Sequence, residues 1–164
     1  MDEGEPAVVP DADGNLTIPS VVALDAAGQL VTGLAARDQA GSNPTHTFAH
    51  VKRIIGRSLD QIKPDLPRLS YVVEDDHEGG VRLHTDRSSE GFLYPEEVSG
   101  AILSALVDQV ADAYGQRPTK AVVGVPAYFD DDQREATIQV TKEKSENVVL
   151  CAMHHAPCTM HHAP

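Results

Sequence analysis

The clearest pattern of apolar and polar positions lies in residues 121–137. Residues 121–125 form a short apolar run with three β-branched side chains, which predicts a strand covered on both faces. Pro126 has no N–H to donate and ends the strand. Asp130 can cap a helix, and Gln133 three residues later completes a capping box. This stretch therefore predicts a buried strand, a rigid turn and a capped helix.

Shorter apolar segments predict strands elsewhere. Residues 7–9, 21–24 and 29–32 are separated by turn sequences rich in aspartate and glycine, and they predict a small antiparallel meander. Residues 68–74 and 81–85 flank an acidic turn and predict a hairpin. The acidic residues of that turn lack the ligand spacing of a calcium loop, so we interpret them as a solvated turn.

Two segments carry apolar residues at helical spacing. Residues 47–55 predict a short helix that ends at Gly56, with a stripe made of Phe48, Val51, Ile54 and Ile55. Lys52 would lie at the edge of this stripe, whereas Arg53 would point to the opposite side. Residues 95–114 predict a longer helix, with proline in its first turn and an apolar face made of Val98, Ile102, Leu106 and Val110.

Composition narrows the class of protein. The chain has 164 residues, 41% of them hydrophobic, which fits one globular domain. Its net charge of −12 repels phosphate backbones and argues against nucleic-acid binding. No apolar run reaches the length of a membrane span, and the acidic N-terminus does not resemble a signal or transit peptide, so no membrane partner is expected. Both cysteines lie near the C-terminus, which fits a reducing compartment.

The pattern changes after residue 140. Residues 141–147 are polar, and residues 151–157 are then repeated almost unchanged as residues 158–164. Two interpretations remain open. The favoured one is a disordered, low-complexity tail over residues 141–164 without metal. The other is a soft Zn²⁺ or Cu⁺ site, with the candidate ligands Cys151, His154, His155, Cys158, His161 and His162.

A family resemblance appears in the strand, turn and helix described first. Residues 125–129, Val-Pro-Ala-Tyr-Phe, followed by Gln133-Arg134 and Ala136-Thr137, closely resemble the seventy-kilodalton heat-shock chaperones, the DnaK-like family. Weaker matches precede them in the right order, among them Val-Lys-Arg-Ile-Ile-Gly-Arg at residues 51–57. The resemblance covers roughly residues 5–138.

This resemblance implies a fold and a domain organisation. The implied fold class is α/β: part of an actin-like ATPase (ribonuclease H-like) lobe with a small outer subdomain, followed by a disordered C-terminal tail. Residues 1–140 would be a fragment of the nucleotide-binding domain. The early meander and residues 121–125 would share one sheet, and the hairpin and the long helix would form the outer subdomain. Another member of the actin and sugar-kinase superfold is a weaker alternative.

The resemblance also implies residue roles. Lys52 matches the family's catalytic lysine, which reaches the γ-phosphate of the nucleotide, and Pro126 and Arg134 match residues thought to relay nucleotide state to the peptide-binding region. Each of these three residues also has an ordinary structural interpretation. Lys52 could be a surface lysine whose stem packs on the core, Pro126 a strand stop, and Arg134 the partner of Glu135 or Asp130 in a surface ion pair.

The function implied is ATP-dependent binding and release of unfolded polypeptides. ATP and Mg²⁺ would be the cofactors of the intact family member, and J-domain cochaperones and nucleotide-exchange factors would be its partners, in the cytoplasm or in an organelle stroma or matrix. Nothing in the sequence matches the family's phosphate loops, so we expect a fragment that binds no nucleotide and does not turn over alone. The alternative is a non-catalytic or truncated product that docks to chaperones or cochaperones.

Overall fold

The computed structural model describes residues 7–142 and 147–153. In this part of the chain, short strands alternate with helices and with 3₁₀ turns at Pro44–His46, Val51–Arg53 and Leu66–Arg68. The strands are β1 (Val21–Leu24), β2 (Leu30–Thr32), β3 (Thr47–Ala49), β4 (Val73–Asp75), β5 (Val81–His84), β6 (Phe92–Leu93), β7 (Lys120–Pro126) and β8 (Asn147–Met153). The helices are α1 (Gly33–Asp38), α2 (Leu59–Ile62), α3 (Pro95–Tyr114) and α4 (Asp131–Lys142).

The first sheet is antiparallel and has the strand order β2-β1-β3. The turn between β1 and β2 is held by Asp25, whose Oδ1 accepts hydrogen bonds from the backbone N–H groups of Ala27 and Gln29, both at 2.8 Å. The predicted hairpin of residues 21–32 is therefore confirmed. The strand predicted at residues 7–9 is wrong, because this segment lies along α3 and the Val9 carbonyl accepts a hydrogen bond from Gln109.

The second sheet has the order β4-β5-β6 and contains the predicted hairpin. Asp76 Oδ1 accepts hydrogen bonds from the N–H groups of Glu78 and Gly80, both at 2.8 Å, so this carboxylate holds the turn between β4 and β5. The first strand is shorter than predicted. Leu66–Arg68 forms a 3₁₀ turn, and β4 begins only at Val73.

The helix predicted over residues 47–55 is wrong. Thr47 and Phe48 belong to β3, His50 adopts a left-handed conformation with φ of 63°, and Val51–Arg53 forms a 3₁₀ turn. The apolar spacing was nevertheless informative, because the four stripe residues are all buried: Phe48, Val51, Ile54 and Ile55. Pairing of β3 with β1 supplies hydrogen bonds that local helical spacing cannot reveal.

Helix α3 has the predicted bounds. At its start, Glu97 Oε2 accepts a hydrogen bond from the Tyr94 N–H at 2.7 Å, and at its end Gly115 adopts φ of 73°. The predicted apolar face is only partly covered. Val98 is fully buried, whereas Leu106 is 41% exposed, so the first half of the helix carries the core contacts.

The largest hydrophobic cluster joins both sheets and α3. Its buried members are Val22, Leu24, Phe48, Val51, Ile54, Ile62, Tyr71, Val81, Leu83, Leu93 and Val98. Because Leu83 of β5 and Val22 of β1 belong to the same cluster, the hairpin and the meander share a core. The hairpin and α3, which are predicted to form the outer subdomain, therefore pack on the meander through this cluster.

The third sheet is a parallel pair of β7 and β8, connected through α4. The expectation that residues 121–125 share a sheet with the early meander is wrong, because β7 pairs with β8 over its whole length. The expectation of a disordered tail over residues 141–164 is wrong for Asn147–Met153. The apolar residues at 148–150 suit a strand, and α4 provides the crossover that a parallel pair needs. Residues 143–146 and 154–164 lie outside the described residues.

Gly56 joins the core to α4 and cannot be replaced without strain. It adopts φ of +64°, and a Cβ atom there would lie 2.7 Å from the carbonyl oxygen of Asp132. We expect Gly56→Ala to lower the free energy of unfolding by about 2 kcal/mol, measured by urea denaturation. Gly41→Ala is the matched control, since its Cβ would meet no atom within 4 Å. Equal losses in the two variants would contradict the close-approach argument.

Candidate functional site

A cleft of ≈ 430 Å³ lies between the 3₁₀ turn after β3, helix α3, strand β7 and helix α4. Its walls are mainly apolar, and they include Val21, Ala49, Ile55, Ile102, Val125 and Phe129. Of the described lining residues, only His50 and Lys52 are ionisable, and both come from the segment between β3 and Ile54. The cleft therefore combines an apolar interior with one lysine and one histidine on the same side.

Lys52 lies in the 3₁₀ turn and lines this cleft. Its side chain is exposed, and its ammonium group has no hydrogen-bond or ion-pair partner among the described residues. The turn begins at His50, whose left-handed backbone redirects the chain between β3 and Lys52. The structure thus leaves the charge of this lining residue without a partner among the described residues, and an anionic group could bind it.

Arg53 points away from the cleft. Its Nη1 lies 3.4 Å from Asp65 Oδ1, and Arg57 and Arg68 approach the same carboxylate at 3.5 and 3.9 Å. The predicted divergence of Lys52 and Arg53 therefore exists, although a 3₁₀ turn produces it and not a helix. Arg53 belongs to an ion-pair cluster on another surface, which makes it a suitable control for Lys52.

Pro126 and Arg134 lie on either side of one turn. Pro126 ends β7 and lines the cleft, and its carbonyl accepts a hydrogen bond from the Phe129 N–H at 3.1 Å. Arg134 does not line the cleft. Its Nη2 donates to the Ala127 carbonyl at 3.4 Å, and its Nη1 lies 3.7 Å from Asp131 Oδ1. The guanidinium therefore contacts the turn that follows Pro126, and its surface partner is Asp131 rather than Glu135 or Asp130.

The predicted capping box at the start of α4 is present. The Gln133 N–H donates to Asp130 Oδ1 at 2.9 Å, and the Asp130 N–H donates to Gln133 Oε1 at 3.4 Å. Gln133 is buried, and its carbonyl accepts a hydrogen bond from the Thr137 hydroxyl, which also lines the cleft. This local network fixes the first two turns of α4 against the cleft.

A partly buried carboxylate, that of Glu96, lies where α3 begins. Burial raises the pKa of Glu96 above its ordinary value, and a hydrogen bond from the Gly56 N–H partly opposes this effect. The neighbouring charges of Asp76 and Glu97 raise the same pKa further. Glu96 does not line the cleft, so we assign it to the packing of α3 against Gly56.

The described residues contain no group of three or more His, Cys, Asp or Glu side chains that could hold a metal ion. Of the candidate metal ligands in the tail, Cys151 belongs to β8, and the others lie outside the described residues. In the same described part of the chain, no helix is long and apolar enough to cross a membrane.

Sequence reasoning missed much of the cleft wall. Ile102 and Leu103 of α3 and Thr137 of α4 line it, and none of them was singled out as a site residue. The apolar spacing of α3 marked Ile102 as a core position, and only the packing of α3 against α4 turns this position toward a cleft. His50 carried no local signal, because positive φ at a non-glycine residue is not readable from its neighbours.

The arrangement defines a mixed α/β domain with a ligand-sized cleft beside a parallel β7–α4–β8 unit. The sequence model of the family described as Hsp70 protein matches residues 1–145, and the chain belongs to this family. That family implies an actin-like ATPase lobe, with which the small sheets and helices of this structure are consistent.

Curated relatives agree with this assignment. The chain is 43% identical over 137 residues to a chaperone protein dnaK of Cyanidioschyzon merolae and 41% identical to that of Cyanidium caldarium. It is 42% identical to the chaperone protein dnaK3 of Synechococcus elongatus. Each match covers 84% of this chain but only 22%, 22% and 18% of the respective relative. The chain therefore spans about a fifth of the length of the relatives it matches.

Proposed function

We propose that residues 1–140 form part of the nucleotide-binding domain of an ATP-dependent chaperone that binds and releases unfolded polypeptides. The observation that carries this proposal is that Lys52 lines the same cleft as Pro126 and that its ammonium group has no partner among the described residues. Family membership and the names of the dnaK relatives support the same conclusion.

In this proposal, Lys52 contacts the γ-phosphate of ATP and is the catalytic and nucleotide-binding residue of this part of the domain. A lysine near a transferring phosphoryl group lowers the barrier by stabilising charge that develops on the phosphate oxygens. The cleft fits a role that is limited to one phosphate contact, because its walls other than Lys52 are mostly apolar. The described lining residues offer a contact to one phosphate but no cradle for a triphosphate with Mg²⁺. The rest of the nucleotide site would come from other parts of the complete domain.

Pro126 and Arg134 are proposed to relay the state of the nucleotide. Pro126 lines the cleft, and Arg134 donates a hydrogen bond to the carbonyl of Ala127, the residue after Pro126. A shift of this turn would therefore move Pro126 and change the contact that Arg134 makes. The Nε atom of Arg134 is buried and lacks a hydrogen-bond partner among the described residues, which leaves a donor free for a different arrangement. The partners proposed with this role are unfolded polypeptides, J-domain cochaperones and nucleotide-exchange factors, in the cytoplasm or an organelle.

A chimera tests the proposal. Residues 4–138 should replace the matching segment of a dnaK relative without loss of ATP hydrolysis or of ATP-dependent refolding of a denatured reporter enzyme. The measurements are phosphate release and recovered reporter activity, with the unaltered relative as the control. A chimera that folds, as judged by circular dichroism, but does not hydrolyse ATP would contradict the proposal and favour the alternative of a non-catalytic module that docks to chaperones.

A further inference from the structure

The turn that carries Lys52 is followed by Gly56, which contacts two helices. The Gly56 N–H donates a hydrogen bond to the carboxylate of Glu96, the second residue of α3. Gly56 also meets the backbone of α4 directly, because a Cβ atom there would lie 2.7 Å from the Asp132 carbonyl oxygen and 2.8 Å from the Gln133 Cα. The exit of the turn is therefore held by both α3 and α4.

Hydrogen bonds within the turn connect its exit to Lys52. The N–H groups of Ile54 and Ile55 both donate to the Val51 carbonyl, at 2.9 and 3.1 Å. Lys52 lies inside this hydrogen-bonded loop, and Gly56 follows directly after Ile55. A displacement of Gly56 would therefore move the backbone that carries the Lys52 side chain.

The burial of Glu96 is not explained by the capping of α3. Glu97, the next residue, supplies the carboxylate that accepts the Tyr94 N–H and completes the capping box. Glu97 is exposed, whereas Glu96 is partly buried although the charges of Asp76 and Glu97 oppose its ionisation. Burial of a carboxylate costs free energy unless hydrogen bonds offset it. The Gly56 N–H supplies such a bond, so the burial of Glu96 serves the contact with the turn.

We propose that Glu96 is a positioning residue for Lys52, which acts by holding Gly56 and does not itself contact nucleotide. Its carboxylate fixes the exit of the turn, so that Lys52 keeps its place in the lining of the cleft. The contact of Gly56 with the start of α4 extends this support to the helix that carries Arg134, the proposed relay residue. The role of Glu96 in hydrolysis rests on the proposed function of Lys52, whereas its hold on Gly56 does not.

Amide hydrogen exchange on the full 164-residue chain tests the hold of Glu96 on Gly56 without nucleotide. Glu96→Ala removes the acceptor, so the Gly56 amide should exchange faster by about tenfold or more. Glu96→Gln keeps a side-chain oxygen that can accept the bond and should restore most of the protection. If Glu96→Ala does not fold, Glu96→Leu, which keeps side-chain bulk without an acceptor, takes its place.

Glu97→Ala is the matched control for this experiment. It removes the neighbouring carboxylate and leaves the Tyr94 N–H without its side-chain acceptor, so it should weaken the first turn of α3. The Gly56 amide should exchange as in the unaltered chain. Equal exchange of Gly56 in Glu96→Ala and Glu97→Ala would show that general loosening of α3, and not the lost hydrogen bond, controls the turn.

The same substitutions in the chimera that carries residues 4–138 test the positioning of Lys52. Glu96→Ala should lower kcat for ATP hydrolysis by about tenfold with little change in affinity for ATP, because a displaced lysine loses mainly its contact with charge that develops in the transition state. Glu96→Gln and Glu97→Ala should keep kcat close to that of the chimera. A merely structural role would instead lower the fraction of folded protein and leave kcat per folded molecule unchanged.

The two experiments separate failure of this proposal from failure of the proposed function. Unchanged exchange of Gly56 in Glu96→Ala, or a Glu96→Gln variant that restores no protection, would overturn the hold on Gly56. Faster exchange with an unchanged kcat would overturn the positioning of Lys52. An unaltered chimera that folds but does not hydrolyse ATP would contradict the proposed function and, with it, the role of Glu96 in hydrolysis, while the exchange result still decides whether Glu96 fixes the turn.

Discussion

Replacing Lys52 by alanine in the chimera that carries residues 4–138 should lower the rate of ATP hydrolysis by at least about 100-fold. The ammonium group acts on charge that develops as the γ-phosphoryl group is transferred, so the loss should appear in kcat. Affinity for ATP should change much less, because the ground state is held by contacts elsewhere in the complete domain. Single-turnover hydrolysis and calorimetric titration with ATP measure the two effects separately.

Arg53→Ala is the internal control for this result. Arg53 is the next residue along the chain and carries the same charge, but its guanidinium contacts Asp65 and does not line the cleft. The Arg53→Ala chimera should therefore hydrolyse ATP at a near-normal rate. Equal losses of activity in the two alanine variants would show that the assignment of Lys52 is wrong. Both side chains are exposed, so neither substitution should cost much stability.

The features predicted correctly from the sequence are those that local chemistry specifies. Helix α3 has its expected bounds because Pro95, Glu97 and Gly115 supply start and stop signals within a few residues of its ends. The capping box of Asp130 and Gln133 is equally local. These elements needed no knowledge of which segments pack together.

The features predicted wrongly depend on contacts between distant residues. Residues 47–55 have helical apolar spacing, but Phe48 pairs opposite Val22 in a strand, and the positive φ of His50 interrupts any helix. The sequence predicts that β7 shares the sheet of β1, yet β7 pairs with β8, a segment that the sequence predicts to be part of the tail. Apolar runs show that a strand forms, and they leave open which neighbour it takes.

The candidate site was predicted in part. Lys52 faces the cleft and Arg53 does not, as the sequence predicted, but the responsible element is a 3₁₀ turn. The roles of Lys52, Pro126 and Arg134 came from a resemblance to a family and remain predictions. The cleft itself could not be predicted, because it arises where α3, α4, β7 and the segment after β3 meet.

Phe48→Ala should lower the free energy of unfolding by about 3–5 kcal/mol. The ring is fully buried in the cluster that joins the two sheets, so its removal leaves a cavity where they meet. It also packs edge-on against Tyr71, with ring centroids 5.2 Å apart, and the Tyr71 hydroxyl donates to the Ala49 carbonyl at 2.7 Å. Loss of the ring therefore weakens the packing of Tyr71 as well as the pairing of β3 with β1.

Urea denaturation of the full chain measures this loss, and two variants bracket it. Phe48→Leu keeps an apolar side chain in the same cavity and should cost only about 1 kcal/mol, which keeps the comparison measurable if Phe48→Ala does not fold. Tyr128→Ala removes an aromatic ring that is 79% exposed and should change stability by less than about 0.5 kcal/mol. β3 leads directly into the turn that carries Lys52. If Phe48→Ala lowers the free energy of unfolding only slightly, the shared core is not what holds this turn in place.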